Sequence, residues 1–307
     1  MNKILIILGP TSSGKSDIAI KLAKRFGGEI ISADSRQIFR GMDIGTGKIE
    51  GKYNDTKKMF LSRGIPHYMI DIVSPRTDYN VTKFKKQTEK IIGDILKRGK
   101  LPIVCGGTGF WIQAVVDDVN FPKVKPDWKL REKLEKHSAE KLFARLKKID
   151  PARAKTIDAK NKVRLIRAIE ICKAIGKVPK IQSAKGKSIN TKYRFLQIGL
   201  DLYREKLYEN IEKRVRSRFK QGMIEEARSL HTQTGLSWKK IQSFGLAYFW
   251  IPLYLQNKLS KEELVEKVIQ AEKNYAKRQM TWFKRDERIK WLKNYKEIET
   301  SSKVFLG

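Results

Sequence analysis

The chain has 307 residues, 40% of them hydrophobic, which suffices for one large α/β domain with its own core and a smaller second unit. Its net charge of +33 predicts a polyanionic partner, most simply nucleic acid, unless it reflects only solubility or a lysine-rich genome. Two cysteines, Cys105 and Cys172, and three histidines exclude a disulfide framework and the usual zinc sites.

The first sixteen residues predict a strand, a phosphate-binding loop and the start of a helix. Lys3–Leu8 is an apolar run of strand length, and the residues after it match G-x-x-x-x-G-K-[ST]: Gly9, Pro10, Thr11, Ser12, Ser13, Gly14, Lys15 and Ser16. In such a loop the backbone N–H groups and the lysine bind phosphate, and the serine hydroxyl can ligate Mg²⁺. The opening run is too short for a signal peptide, and no apolar run reaches the length of a membrane span. We therefore expect a cytoplasmic protein without a membrane partner.

A second predicted strand, Glu29–Ser35, contains the carboxylate of Asp34 near its end. Open α/β sheets bind their ligands at the carboxyl ends of their strands. Asp34 is therefore a candidate metal ligand or general base, although a carboxylate that only caps the turn before Ser35 fits this fragment equally well. The glycine-rich segment 35–48 is predicted to be a loop that offers Arg36, Arg40 and Lys48 to anions.

Three more elements complete the first part of the predicted core. His67–Val73 and Leu101–Cys105 are predicted strands, and the apolar spacing of Val81–Arg98 predicts a helix. Residues 106–109 (GGTG) are typical of a turn, but at a strand end Thr108 could also offer its hydroxyl to a ligand. These elements predict a P-loop-like α/β fold, a parallel sheet flanked by helices.

The character of the chain changes at Val119. Residues 119–195 carry 23 Lys and Arg against 7 Asp and Glu, a net charge of +16, and their apolar spacing predicts helices. Arg164 and Arg167 lie three residues apart, on one helix face. We interpret 119–195 as a basic helical insertion domain that binds a nucleic-acid backbone, with a merely solvated charged surface as the alternative. Residues 1–118 and 196–307 would then form the catalytic core.

The remaining core elements follow this insertion. Phe195–Leu202 is a predicted strand, and apolar residues four apart predict a long helix from Leu207 to Met223. That helix carries two candidates to reach an anion, Arg214 and Arg218. A further predicted helix, 262–285, mixes basic and aromatic residues, a pattern that serves base stacking or, more commonly, core packing. Residues 289–292 are predicted to form an edge strand.

Taken together, these motifs resemble the tRNA dimethylallyltransferase family. The matching blocks run along the whole chain: GPTSSGKS at 9–16, DSRQIFRGMDIGTGK at 34–48, GGTGFWI at 106–112, RLIRAIE at 164–170 and YAKRQMTWF at 275–283. The resemblance is to the bacterial type, since no C-terminal zinc finger is present. The chain departs from the usual family pattern at Tyr68, at Leu246–Tyr248 and at Glu272–Lys273.

The resemblance implies transfer of a dimethylallyl group from dimethylallyl diphosphate to the N6 amine of the adenosine 3′ to the anticodon of tRNA, with Mg²⁺ as cofactor. It implies that residues 9–16 bind the diphosphate and that Asp34 is the general base. Ser16 with Mg²⁺, Lys15 and Arg214 would neutralise the leaving group, and Thr108 would also belong to the catalytic site. The positions that match tRNA contacts of the family are Asp34, Ser35, Arg36, Gln37, Thr108, Arg131, Val163, Arg164 and Arg167. We expect a monomer.

Three other functions are compatible with the sequence. A kinase of nucleotides or small molecules would use the same loop for ATP, but it would leave the basic insertion unexplained. An enzyme that prenylates free adenine nucleotides would need neither the insertion nor the large net charge. A non-catalytic tRNA-binding protein would bind tRNA without turnover.

Overall fold

The computed structural model describes residues 1–179, 190 and 192–307, so residues 180–189 and 191 of the predicted insertion lie outside the described residues. The chain divides into two compact units, Met1–Asp118 with Ala184–Gly307, and Val119–Ser183. The strands are β1 (Asn2–Leu8), β2 (Gly28–Ser32), β3 (Lys52–Asn54), β4 (Met59–Ser62), β5 (Ile65–Tyr68), β6 (Leu101–Gly106), β7 (Tyr193–Leu200) and β8 (Ile289–Leu292).

The helices of the larger unit are α1 (Lys15–Phe26), α2 (Val81–Lys97), α3 (Gly109–Val116), α8 (Arg204–Lys220), α9 (Met223–Thr232), α10 (Trp238–Ser243), α11 (Ala247–Leu255), α12 (Lys261–Phe283) and α13 (Tyr295–Leu306). Those of the smaller unit are α4 (Trp128–Glu135), α5 (Ala139–Ile149), α6 (Pro151–Ala154) and α7 (Lys162–Ile175). None of the helices in the described parts of the chain combines the length and the apolar character needed to cross a membrane.

One sheet forms the centre of the larger unit, with the strand order β3-β4-β5-β2-β6-β1-β7-β8. The six strands from β5 to β8 in this order are parallel, and β3 and β4 add an antiparallel hairpin at one edge. Because parallel strands end on the same side, the segments that follow β1, β2 and β6 meet at one edge of the sheet. The sheet thus brings the phosphate loop, Asp34 and Thr108 together.

Alternation along β1 explains why both faces of the sheet are covered. Ile4, Ile6 and Leu8 belong to one buried cluster, and Leu5 and Ile7 belong to another. All five side chains are fully buried. An almost continuous apolar run is what a strand with helices on both faces requires. The fold is therefore the P-loop-like α/β class that the sequence predicts.

The smaller unit has an apolar core of its own. Leu134, Leu142, Leu146 and Leu165 are buried together in it, with both Cys172 and Ile169 alongside. Side-chain caps start three of its helices: the side chains of Asp127, Ser138 and Asn161 each accept a backbone N–H of the following first turn.

Two predicted elements are wrong in their extent. The strand predicted at 67–73 is β5, which ends at Tyr68, because Met69 and Asp71 take positive φ values of 64° and 54° that no strand accommodates. The helix predicted to run from 207 to 223 ends at Lys220. Gly222, at φ 97°, turns the chain and caps α9, which carries Met223. The hairpin of β3 and β4 was not predicted, since its strands are only three and four residues long.

Candidate active site

The phosphate loop is shaped by the turn between β1 and α1. Gly14 adopts the left-handed conformation (φ 83°) directly before the helix, where a side chain would strain the backbone. Lys15 opens α1 and donates from Nζ to the Pro10 carbonyl oxygen at 3.1 Å, so its ammonium group lies over the loop. The Ser13 hydroxyl is buried without a hydrogen-bond partner in the described residues. A buried polar group of this kind usually has a partner, which a bound phosphate oxygen would supply.

Arg214 of α8 is the second cation at this loop. Its Nη1 donates to Thr11 Oγ1 at 3.4 Å and its Nη2 to the Gly47 carbonyl oxygen at 2.5 Å. Burial lowers the pKa of Arg214, and the neighbouring Arg218 lowers it further. Burial likewise lowers the pKa of Lys15. Within the described residues neither cation has a carboxylate within 4 Å. Two cations whose charge is disfavoured in this way define an anion site.

Arg218, the other arginine predicted to face an anion, has a different function. It is buried, and its Nη1 and Nη2 donate at 2.9 Å to the Gly45 carbonyl oxygen and to Glu272 Oε1. A buried guanidinium that already has a carboxylate partner is a structural group. Of the two arginines predicted to reach an anion, Arg214 is the one that contacts the phosphate loop.

Asp34 lies just beyond the end of β2, in the wall of a cavity. Its Oδ1 accepts the backbone N–H groups of Arg36 at 2.9 Å and Gln37 at 3.4 Å. The carboxylate therefore does cap this turn, as the simpler interpretation proposed. Its second oxygen, Oδ2, has no hydrogen-bond partner among the described residues and remains available to a ligand.

The cavity brings several of the predicted site residues together. Its lining includes Thr11, Lys15, Ser16, Asp34, Arg36, Gln37 and Arg214. It also contains apolar side chains, among them Ile49, Ile70 and Leu246. The cavity can therefore accept an anion at the loop and an apolar or aromatic group beside it.

Thr108 connects two strand ends but is not part of the cavity lining. Its Oγ1 accepts the Ser35 backbone N–H at 3.1 Å, and its own N–H donates to the Ala33 carbonyl oxygen at 3.1 Å. Next to it, the Arg36 Nε donates to the Phe244 carbonyl oxygen at 2.7 Å. The Arg36 guanidinium also stacks 5.0 Å from the ring centre of Tyr275. Segment 34–37 is thus held from several sides.

Gln279 of α12 was not singled out from the sequence, yet it fixes the phosphate loop. Its Oε1 accepts the Thr11 backbone N–H at 2.9 Å, and its Nε2 donates to the Gly107 carbonyl oxygen at 2.8 Å. Tyr275, one turn earlier, lines the cavity, and burial raises the pKa of its hydroxyl. The only sequence signal for both residues was the block at 275–283, which core packing explained equally well.

Glu226 of α9, also unpredicted, organises the loop before Gly47. Its carboxylate accepts three consecutive backbone N–H groups, those of Asp43 (2.6 Å), Ile44 (2.7 Å) and Gly45 (2.8 Å). The buried Tyr248 hydroxyl donates to the same carboxylate at 2.7 Å. Tyr248 is one of the departures from the family pattern, and here it has a defined structural partner.

Any bound divalent cation would have few protein ligands. The described residues contain no group of three or more His, Cys, Asp and Glu side chains that could enclose a metal. The hard oxygen donors near the loop are the Ser16 hydroxyl and the Asp34 carboxylate, both in the cavity lining. Mg²⁺ commonly takes only one or two protein oxygens and completes its shell with phosphate and water, so this donor set fits it.

The smaller unit carries the other predicted contact residues in two environments. Val163 and Arg164 are exposed at the start of α7, and the Arg164 side chain has no partner in the described residues. Arg131 and Arg167 instead both donate to Glu170, whose side chain is 1% exposed. Burial opposes the charge of that carboxylate, but these hydrogen bonds outweigh it and lower the pKa of Glu170 to about 2.

The fold and the site define a P-loop-like α/β protein with a phosphate loop, a buried pair of cations and a carboxylate in one cavity. A sequence model of the IPP transferase family matches residues 37–286, most of the chain. The chain is 40% identical over 308 residues to a tRNA dimethylallyltransferase of Acetivibrio thermocellus, covering 99% of this chain and 95% of that protein. The chain therefore belongs to the IPP transferase family.

Solved structures give the same result. The full-length tRNA isopentenylpyrophosphate transferase of Bacillus halodurans superposes with a TM-score of 0.71 at 33% identity, covering 100% of this chain and 97% of that one. A eukaryotic dimethylallyltransferase, described as acting on tRNA, superposes with a TM-score of 0.72 at 26% identity over 92% of this chain and 70% of that chain.

Proposed function

We propose that this protein transfers a dimethylallyl group from dimethylallyl diphosphate to the N6 amine of the adenosine 3′ to the anticodon in tRNA. The observation that carries the proposal is the buried pair Lys15 and Arg214, which shares a cavity with Asp34 and has no carboxylate partner in the described part of the chain. A diphosphate would supply the missing negative charge. An allylic diphosphate also needs an acceptor and a base nearby, and the cavity offers room for both.

The reaction replaces a C–O bond by a C–N bond and moves one proton. The amine nitrogen attacks the allylic carbon while the bond from that carbon to the diphosphate oxygen breaks, and the diphosphate leaves with the electron pair. Asp34 accepts the proton that the amine loses, through the oxygen not engaged by the turn. Lys15, Arg214 and the backbone N–H groups of residues 12–16 stabilise the charge that develops on the leaving diphosphate.

The Ser16 hydroxyl would hold Mg²⁺ at the diphosphate. The bound ion would withdraw charge from the leaving oxygen. The buried Ser13 hydroxyl is a further candidate to donate to the diphosphate, since it is otherwise unpartnered. Gln279 positions the loop and is not itself in contact with the reacting atoms in this proposal.

Recognition of tRNA would use residues of both units. Our candidates for contacts around the target adenosine are Asp34, Ser35, Arg36, Gln37 and Thr108. The adenine base must leave its stack to reach the cavity. Arg131, Val163, Arg164 and Arg167 are the candidates in the basic insertion, which we assign to 119–195. We further propose that the protein is a cytoplasmic monomer. Most of its affinity for tRNA would come from contacts with phosphate groups.

A label-transfer assay tests the function. Purified protein is mixed with Mg²⁺, radiolabelled dimethylallyl diphosphate and unmodified tRNA that has adenosine after its anticodon, and a parallel reaction contains labelled ATP. We expect label at this single adenosine and none when it is replaced by guanosine. Binding of tRNA without transfer would instead support a non-catalytic binding protein. Phosphoryl transfer from ATP would support a kinase. Label on free adenine nucleotides would support an enzyme that prenylates those nucleotides.

A further inference from the structure

The largest apolar side chain of the smaller unit outside its core is Trp128, the first residue of α4. It is 61% exposed, whereas tryptophan is usually well buried. It does not belong to the apolar core formed by Leu134, Leu146 and Leu165. One face of its indole ring is covered by the Arg131 guanidinium, 5.1 Å from the ring centre. The other face of the ring does not pack against this apolar core.

The guanidinium on the indole is held rigidly by one buried carboxylate. Arg131 donates from Nε and Nη2 to the two oxygens of Glu170, each at 2.8 Å. Glu170 Oε1 also accepts the backbone N–H of Asp127 at 2.7 Å, directly before Trp128. The backbone that carries the indole and the guanidinium that stacks on it are thus fixed to the same group. Such fixing lowers the entropy lost when a ligand binds.

The electrostatic surroundings favour a polyanion. Residues 119–183 contain 19 Lys and Arg against 7 Asp and Glu, a net charge of +12. Lys129, the residue after Trp128, is exposed, and Lys173 of α7 lies 3.4 Å from Asp127, the residue before it. Phosphates would contact these cations, while the flat open ring suits another flat ring. A nucleobase on a phosphate backbone provides both the negative charge and the flat ring, whereas an acidic peptide provides only the charge.

We propose that the open face of Trp128 is a stacking platform for an unpaired nucleobase of the RNA substrate. The proposal rests on the proposed tRNA function and adds a binding residue to it. Arg131 stacks on the opposite face of the indole, and Glu170 is a positioning residue that fixes Arg131. Stacking releases no counterions, so this contact contributes affinity without contributing to the salt dependence of binding.

The test measures tRNA affinity as a function of salt for wild type, Trp128→Ala and Trp128→Phe. Loss of one stacked base should weaken binding roughly 5- to 100-fold in Trp128→Ala, with an unchanged slope of log affinity against log salt. Trp128→Phe should recover most of this loss. Ile149→Ala, which trims another exposed apolar side chain of the same unit (41% exposed), is the matched control and should bind like wild type. Melting temperatures of all variants verify folding.

A second measurement identifies the base and separates the possible outcomes. RNAs with one abasic position each are titrated against wild type and Trp128→Ala, and we expect one position at which the two losses are not additive. Heparin, a polyanion without bases, should bind both proteins equally. Equal tRNA affinity of folded Trp128→Ala and wild type would overturn the platform, as would an equal loss for heparin. If the comparison of wild type with Trp128→Ala reveals the non-additive position but the wild-type protein transfers no label, the proposed function is refuted and the stacking platform is not.

Discussion

At the scale of single residues, the candidate site is defined by two buried cations that have no carboxylate partner among the residues the structure describes. Burial lowers the pKa values of Lys15 and Arg214, so the charged form of each side chain is less stable here than it is in water. Arg218, one helical turn from Arg214, shows the contrast, because Glu272 neutralises it. The fold therefore places Arg218 in an internal ion pair and leaves Arg214 available to a ligand.

Substitutions of Asp34 separate its two functions. Asp34→Asn keeps an oxygen that can accept the Arg36 N–H but cannot take up a proton, whereas Asp34→Ala loses both functions. If Asp34 is the base, both variants should lower kcat by about 10² to 10⁴, and only Asp34→Ala should also lose roughly 1 kcal/mol of stability. Rapid-quench label transfer, tRNA affinity and thermal unfolding provide the comparison. A near-normal rate in Asp34→Asn would leave the carboxylate with the capping function only.

At the scale of elements, the loop of residues 43–48 depends on helices far away in the sequence. Glu226 of α9 holds its first three N–H groups, and Arg218 and Arg214 of α8 hold the carbonyl oxygens of Gly45 and Gly47. Gly47 has φ 59°, and a Cβ there would lie 2.1 Å from Arg214 Nη2. The loop and Arg214 therefore fix each other.

Glu226→Gln tests this coupling between the loop and the site. Glutamine would bring an NH₂ group against backbone N–H donors, so the loop should detach and Arg214 should lose the support of Gly47. We expect a loss of about 1–3 kcal/mol in unfolding free energy and a raised KM for the diphosphate substrate. Glu225→Gln, one residue earlier and exposed, removes the same charge and should change neither quantity. A normal KM in a destabilised Glu226→Gln would show that the loop only supports the fold.

Local sequence predicted those parts of the fold and the site that depend on neighbours in the chain. The phosphate loop, the helix after it, the position of Asp34 at a strand end and the edge strand at 289–292 all have short-range signals. The hydrogen bond from the Thr11 N–H to Gln279 joins residues 268 positions apart, and no local pattern indicates it. Glu170 and Glu226 were missed for the same reason, since a glutamate on a helix is taken for a solvated charge until its distant partners are known.

At the scale of the whole molecule, the net charge of +33 should appear as a steep salt dependence of tRNA binding. Arg164 is exposed and its side chain has no partner among the described residues, so Arg164→Ala should reduce the magnitude of the slope of log affinity against log salt by about one. Lys303→Ala, an equal loss of charge on α13, is the control and should leave the slope unchanged. Filter binding over a range of salt concentrations measures both, and identical slopes would remove Arg164 from the proposed contacts.

The position of β1 in the sheet has a consequence for biosynthesis. The phosphate loop leaves the ribosome early, but β1 pairs along seven residues with β7, which is made about 190 residues later. At roughly 5–20 residues per second, this delay is on the order of 10–40 s. The residues that complete the loop, Arg214 and Gln279, follow later still. A nascent chain therefore carries its phosphate loop beside an unpaired strand edge, and Arg214 and Gln279 can contact that loop only after most of the chain has been made.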